Sequence, residues 1–211
     1  MPAGIDPIDI PPEHDPLARA WDHPADRGGF YLRGTLGLGF MAGRLGPAPW
    51  ADYDYNNYNA RVARGFGTGF GLDIGAMLAP WVALHLSAHA GVLWNGDLDY
   101  EWSVQGGSDP SARVTAYGLA PAATFFTPHD FYFTAAFGVG FGHSQYGGYS
   151  KTTNPGFYMN LVSGKDLYVS RHLSVGIQFQ IVYMLLGDED KQDELRVREF
   201  LFGPSVAFDS L

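Results

Sequence analysis

The chain has 211 residues, 46% hydrophobic, 15% aromatic and only 17% charged, with 28 glycines, no cysteine and a formal net charge of −9. That length suits one domain; the lack of Cys removes disulfides, thiolate metal sites and thiol nucleophiles, and an acidic balance without a basic stripe argues against a nucleic-acid partner. A globular domain carries about 25% charged residues, so the deficit is real, and no apolar run approaches the roughly 18 residues of a membrane-spanning helix.

Residues 1–27 are rich in Pro and Asp and have no period, which reads as an extended tail. They lack a basic n-region and an apolar h-region, so no signal peptide is read in them. Residues 28–211 read as one β-domain of eight strands. The first, from about Gly29 to Gly43, sets Phe30, Leu32, Leu36, Leu38 and Phe40 against Tyr31, Arg33, Thr35, Gly37 and Gly39. The second, about 62–78, sets Phe66, Phe70, Leu72, Ile74 and Leu78 against Gly67, Gly69, Gly71, Asp73 and Gly75. In the third, about 81–94, Val82, Leu84, Leu86, Val92 and Trp94 oppose His85, Ser87, His89 and Gly91. The fourth, 113–126, alternates less cleanly, with Tyr117, Leu119, Ala123 and Phe125 assigned to the apolar face. The fifth (131–142) opposes Phe131, Phe133, Phe137, Val139 and Phe141 to Tyr132, Thr134, Gly138 and Gly140. The sixth, 156–168, opens with Phe157, Met159 and Leu161; the seventh alternates Leu173, Val175, Ile177, Phe179, Ile181 and Tyr183 with Ser174, Gly176, Gln178 and Gln180. The eighth, 195–208, ends on Phe200, Phe202, Val206 and Phe208.

Successive side chains on a strand point to opposite faces, so each stretch is a ribbon with one greasy face and one small or weakly polar face. Between Gly65 and Asn95 the only formal charge is Asp73, and between Val114 and Gly142 it is Asp130. A soluble sheet would carry Lys, Glu and Asp on its outer face. Lipid is the simplest solvent for these exteriors.

Connections alternate in length. Ala79-Pro80, Thr127–Asp130 and Ser170–His172 are short, whereas 44–61, 95–112, 143–155 and 186–194 are long and polar. The pattern predicts an all-β fold: an eight-stranded antiparallel up-and-down transmembrane β-barrel with short periplasmic turns and long extracellular loops. Two aromatic girdles are expected. One comprises Trp81, Phe125, Phe126, Phe131, Tyr132 and Tyr168 on the turn side; Trp94, Tyr100, Trp102, Tyr146, Phe157 and Tyr158 form the other on the loop side.

The segments GGFYLRGTLGLGF (28–40) and GKDLYVSRHLSVGIQFQ (164–180) and the last strand give the chain a family resemblance. It resembles the small eight-stranded outer-membrane barrels of Gram-negative bacteria, the group containing outer membrane proteins X and W. Gly203, Val206 and Phe208 resemble the C-terminal pattern by which such barrels reach their insertion machinery, although this chain continues through Asp209, Ser210 and Leu211. The resemblance implies a bacterial outer-membrane location and is nearly silent on activity.

Most chemical motifs reduce to strand geometry. Gly65, Gly67, Gly69 and Gly71 are spaced by two and fit neither GxGxxG nor GxxxxGK[ST]. Rows of lumen glycine instead leave space for Tyr31, Arg33, His85, His89, Gln178 and Gln180, which predicts a packed polar plug. His85 and His89 would lie roughly 13 Å apart on a strand, too far to share an ion. Asp52, Asp54, Asn56 and Asn57 echo half a calcium loop, but its twelfth position is Ala63 instead of Glu. No metal and no cofactor is expected. His143 and Ser144 are reminiscent of barrel deacylases, yet neighbours on a strand face opposite ways. If the first hairpin is symmetric about residue 53, Arg33 and Asp73 meet inside the lumen, and an ion pair is predicted between them.

The expected role is non-enzymatic and structural or surface-interacting, through the loops. Tyr53, Tyr55, Tyr58, Trp102, Tyr146 and Tyr149 are its candidate contact residues, since aromatics favour interfaces. Expected partners are outer-membrane lipid and lipopolysaccharide around a monomer, with a periplasmic or surface protein left open. Two alternatives stand: a narrow conduit for small apolar molecules, and a soluble lipocalin-like carrier with its apolar faces inward.

Overall fold

A computed structural model describes residues 29–47, 61–100, 109–146, 149–170, 172–187 and 193–209. They form β1 (Gly29–Pro47), β2 (Arg61–Ala79), β3 (Val82–Tyr100), β4 (Asp109–Phe126), β5 (Phe131–Tyr146), β6 (Tyr149–Thr152), β7 (Gly156–Tyr168), β8 (Leu173–Gly187) and β9 (Asp193–Asp209). Neighbours run β4-β3-β2-β1-β9-β8-β7-β5, and a further β4–β5 ladder closes the ring. All pairings are antiparallel. This is an eight-stranded barrel without a free edge, the arrangement that satisfies backbone N–H and C=O groups inside a bilayer.

The short element β6 was not expected. It pairs with β5 from His143↔Thr152 to Tyr146↔Tyr149, and β7 continues along β5 from Gly140↔Gly156 with the register moved by one residue. β6 and β7 are therefore one ribbon interrupted by a bulge. Thr153 pins the bulge: its N–H donates to the Gly142 carbonyl and its Oγ1 accepts from the Gly142 N–H, both at 2.9 Å.

Several strands also run further into the long connections than the sequence suggests: β1 continues to Pro47, β3 to Tyr100 and β5 to Tyr146. A ladder needs backbone partners, not apolar side chains, so it continues where the greasy alternation has stopped. The short turns fall where expected. In the Thr127–Asp130 turn, Asp130 adopts φ 61°, a left-handed conformation that Asp tolerates better than most residues. Ser170 Oγ accepts from the N–H groups of His172 and Leu173 at 3.3 and 3.1 Å, closing the β7–β8 turn.

The apolar parity faces outward. Phe70, Leu86, Val139 and Phe179 are 54%, 53%, 47% and 46% exposed on the barrel wall. An inward-facing, carrier-like arrangement is thereby excluded. Trp81, in the turn before β3, and Trp94, in the far half of β3, are both exposed. Trp94 Nε1 donates to Thr68 Oγ1 at 3.2 Å beneath the Arg113 guanidinium, 4.6 Å from the ring centroid. Three residues assigned to the girdles belong inside instead: Phe126, Tyr132 and Tyr158 are buried. Each adjoins an outward aromatic (Phe125, Phe131 and Phe157), and strand alternation allows only one of each pair to face lipid.

Two outward prolines interrupt the wall. The β4–β5 ladder passes from Leu119↔Val139 to Ala122↔Ala136 across Pro121, and the β1–β9 ladder passes from Thr35↔Ser205 to Leu38↔Phe202 across Pro204. Proline has no N–H to give a ladder, so each seam loses a bond there.

Candidate functional site

Among the described residues, the lumen holds the buried charges Arg33, Asp73, Asp166 and Glu199. Gly91 and Gly118 show how it fills: a Cβ at Gly91 would strike the Glu199 carboxylate, and one at Gly118 the Tyr158 ring. Missing side chains on β3 and β4 thus make room for large polar groups from β9 and β7.

Arg33 anchors the layer nearer the short turns. It is 1% exposed, and its Nη2 donates to Asp166 Oδ2 at 2.5 Å. Its Nε and Nη1 have no hydrogen-bond acceptor. The Tyr132 ring lies 3.5 Å from Cζ and supplies a π face in its place. Tyr31 adds a second ring at 5.9 Å. Tyr132 OH in turn donates to Gln178 Oε1 at 3.2 Å and lies 3.4 Å from Ser205 Oγ.

The predicted Arg33–Asp73 pair is corrected here. The register is as expected, with Arg33↔Asp73 in the β1–β2 ladder. Arg33 nevertheless reaches past Asp73 to β7, and no direct ion pair joins residues 33 and 73 among the described residues. Asp73 instead faces His85 Nδ1 at 3.6 Å. A long guanidinium arm in a narrow tube crosses to the far wall, while the short Asp side chain stays with its neighbouring strand. His85 Nε2 lies 2.8 Å from Thr124 Oγ1, which is 2.6 Å from Thr134 Oγ1, a polar line across β3, β4 and β5.

A second layer centres on His89. Its Nε2 lies 2.8 Å from Glu199 Oε2, and Gln180 Nε2 donates both to His89 Nδ1 at 3.2 Å and to Asn160 Oδ1 at 3.1 Å. An amide donor at Nδ1 makes that nitrogen the acceptor, so the imidazole proton sits on Nε2 and is given to the Glu199 carboxylate. Tyr158 stacks on the ring with centroids 6.4 Å apart. His85 and His89 thus belong to separate networks.

Towards the long connections the lumen becomes apolar: Met41, Leu93, Val114, Met184, Leu186 and Leu195 form one buried cluster. On the opposite parity of β9, flanking Leu195, Arg196 donates through Nε and Nη2 to Glu194 Oε1.

Tyr31, His85, His89, Gln178 and Gln180 are all buried on the inward parity. Of the loop candidates, Tyr53, Tyr55, Tyr58 and Trp102 lie outside the described residues, as does the 1–27 tail. The backbones of Tyr146 and Tyr149 pair at the β5–β6 hairpin. His143 and Ser144 do face opposite ways, with Ser144 buried. The His143 ring meets Thr152 Oγ1 at 2.9 Å and Ser150 Oγ at 3.2 Å, contacts that fasten β6 to β5. Asp166, Glu199, Asn160 and Thr124 were not singled out from the sequence. Their parity would have placed them inside, but nothing local names their partners.

No protein-family model matches the chain, and no curated protein sequence matches it. Among solved structures it is similar to the Neisserial surface protein A, at 12% identity and TM-score 0.45 over 86% of this chain and 97% of that one. It is also similar to the outer membrane protein OprG of Pseudomonas aeruginosa, at 12% identity and TM-score 0.49 over 90% of this chain and 100% of that one. A third is Ail, the attachment invasion locus protein of Yersinia pestis, at 12% identity and TM-score 0.41 over 85% and 99%. With its closed wall, lipid-compatible exterior and short-turn, long-connection rhythm, the chain is an eight-stranded antiparallel β-barrel of the membrane-spanning type.

Proposed function

We propose that this barrel is a non-enzymatic surface protein, a rigid monomeric scaffold that presents its long connections to the exterior. The observation that carries this reading is the filled lumen. The Arg33–Asp166 and His89–Glu199 layers cross it, and the Met41–Leu195 cluster closes it nearer the long connections. A tube blocked by buried ion pairs and close-packed apolar groups offers water no path, so its outer surfaces remain for function. The ring also leaves none of its eight barrel strands with an edge for another copy to extend.

The test is conductance of the purified full chain in planar bilayers. A flat trace is expected; a steady, stepwise channel current overturns the reading. Replacing Tyr53, Tyr55, Tyr58 and Trp102 with Ser is expected to abolish surface contacts while leaving the folded barrel intact.

The conduit for small apolar molecules keeps a claim through two observations. The lumen nearer the long connections is apolar, and the β4–β5 seam is interrupted at Pro121. Gly118, the partner of His89, lies between Pro121 and the long connections, so an apolar solute entering from outside would have to pass the His89–Glu199 layer before leaving sideways through that seam. Proteoliposome uptake of an apolar dye, lost in Pro121→Ala, would favour it; uptake equal to protein-free vesicles would remove it.

A further inference from the structure

The outer wall changes character abruptly along β9, β1 and β2. Phe40 lies between Phe66 and Phe200 in the two ladders, and all three rings are exposed. The next outward position on β1 is Ala42, which lies between Arg64 and Arg198. One further outward step brings Arg44 opposite Arg196. A row of three Phe therefore gives way directly to a row of Arg, Ala and Arg, with two more arginines beyond.

Two of these cations are already engaged. Arg196 is held by Glu194, and Arg44 has interactions of its own. Arg64 and Arg198 are exposed and make no ion pair among the described residues. The nearby carboxylate Asp97 is opposite Arg64 on β3, also exposed, and does not pair with it. Two inter-strand spacings put the Cα atoms of Arg64 and Arg198 about 9–10 Å apart, within reach of a single group held above the Ala42 methyl. Guanidinium groups flanking a gap present parallel N–H donors, the geometry that suits phosphate oxygens.

Depth selects the source of that phosphate. The arginines begin where the aromatic belt ends, and in a leaflet the phosphates lie just outside the hydrocarbon. A free anion gains nothing from the Phe row; a lipid gains a surface for its chains. We infer that Arg64 and Arg198 clamp a phosphate on the headgroup of an outer-leaflet glycolipid, whose acyl chains lie along Phe40, Phe66 and Phe200. The inference rests on the outer-membrane orientation with the long connections outside, and names where the lipid partner sits.

The test uses the full chain in detergent micelles, with a diphosphorylated glycolipid of the lipid A type titrated and bound copies counted by native mass spectrometry. Arg64→Gln/Arg198→Gln is expected to weaken binding at least about tenfold, since two charge-assisted contacts are lost. Arg64→Lys/Arg198→Lys is expected to keep most of it, and Arg113→Gln, on β4, to change nothing. The dephosphorylated glycolipid should bind the unaltered chain at least about tenfold more weakly, and inorganic phosphate at equal concentration should not compete.

Undiminished binding in a correctly folded Gln variant, or equal binding of the dephosphorylated glycolipid, overturns the inference. Competition by inorganic phosphate overturns it too, leaving a free-anion site. Should the double variant not fold, the single Arg198→Gln carries the same comparison. A chain that conducts in planar bilayers would overturn the scaffold reading and leave this one standing.

Discussion

Arg33 and Asp73 sit directly across the β1–β2 ladder from one another, yet the Arg33 guanidinium bonds Asp166, 133 residues along the chain. A cross-strand neighbour shares a wall; a lumen partner shares a cross-section. In a tube this narrow the second relationship decides where a long side chain ends.

Removing one member of that pair leaves a charge without its partner in the barrel. Asp166→Asn and Arg33→Met are each expected to destabilise the barrel by about 3–5 kcal/mol, and Arg33→Met/Asp166→Leu by less than their sum. Asp73→Asn, losing only a 3.6 Å contact with His85, should cost distinctly less than Asp166→Asn. Urea unfolding in lipid vesicles measures all four. Equal costs for Asp73→Asn and Asp166→Asn would reverse the assignment of partners.

Over-packing provides an independent probe. Gly118→Ala drives a methyl into the Tyr158 ring and Gly91→Ala drives one into Glu199. Each is expected to lower stability by about 1–3 kcal/mol. Gly34→Ala meets nothing within 4 Å and should be nearly silent. Comparable losses at all three positions would mean the lumen is not filled as described.

The lipid-facing wall predicts a depth gradient. Leu72, midway along the apolar part of β2, should tolerate Arg poorly, at about 2–4 kcal/mol, whereas Phe66→Arg, next to the Arg64 row, should cost about 0–1 kcal/mol. Refolding equilibria into vesicles distinguish the two. A uniform cost along the strand would contradict the placement of the belt.

At the β4–β5 turn, Asp130 holds a left-handed backbone at φ 61°. Asp130→Gly keeps that conformation accessible, while Asp130→Val should lose about 1–2 kcal/mol through Cβ crowding. Thermal melting of the two variants reads the difference; a Val variant as stable as Gly would show that the turn can adopt another form.

Legibility was highest where a feature depends on strand period alone. The alternation in 173–183 sorted the named residues of that part of β8 between its two faces, because a strand under lipid on one side and lumen on the other has only two environments. It was lower at strand ends, since β1 and β3 continue into polar sequence where the ladder persists without an apolar signal. Adjacent aromatics misled for a related reason. Phe125-Phe126 and Phe157-Tyr158 both look like rim anchors until alternation sends the second ring of each pair inside.

Sequence by itself determined the ribbons, their two faces, the short turns and the hydrocarbon-compatible exterior, because these follow from the two-residue repeat of an extended chain and from local turn chemistry. Only the tertiary structure decided that Arg33 meets Asp166, that His89 meets Glu199, and that Arg64 and Arg198 flank Ala42. Those partnerships join strands brought together by closing and tilting the sheet, and the stagger of a closed barrel is a property of all eight strands at once.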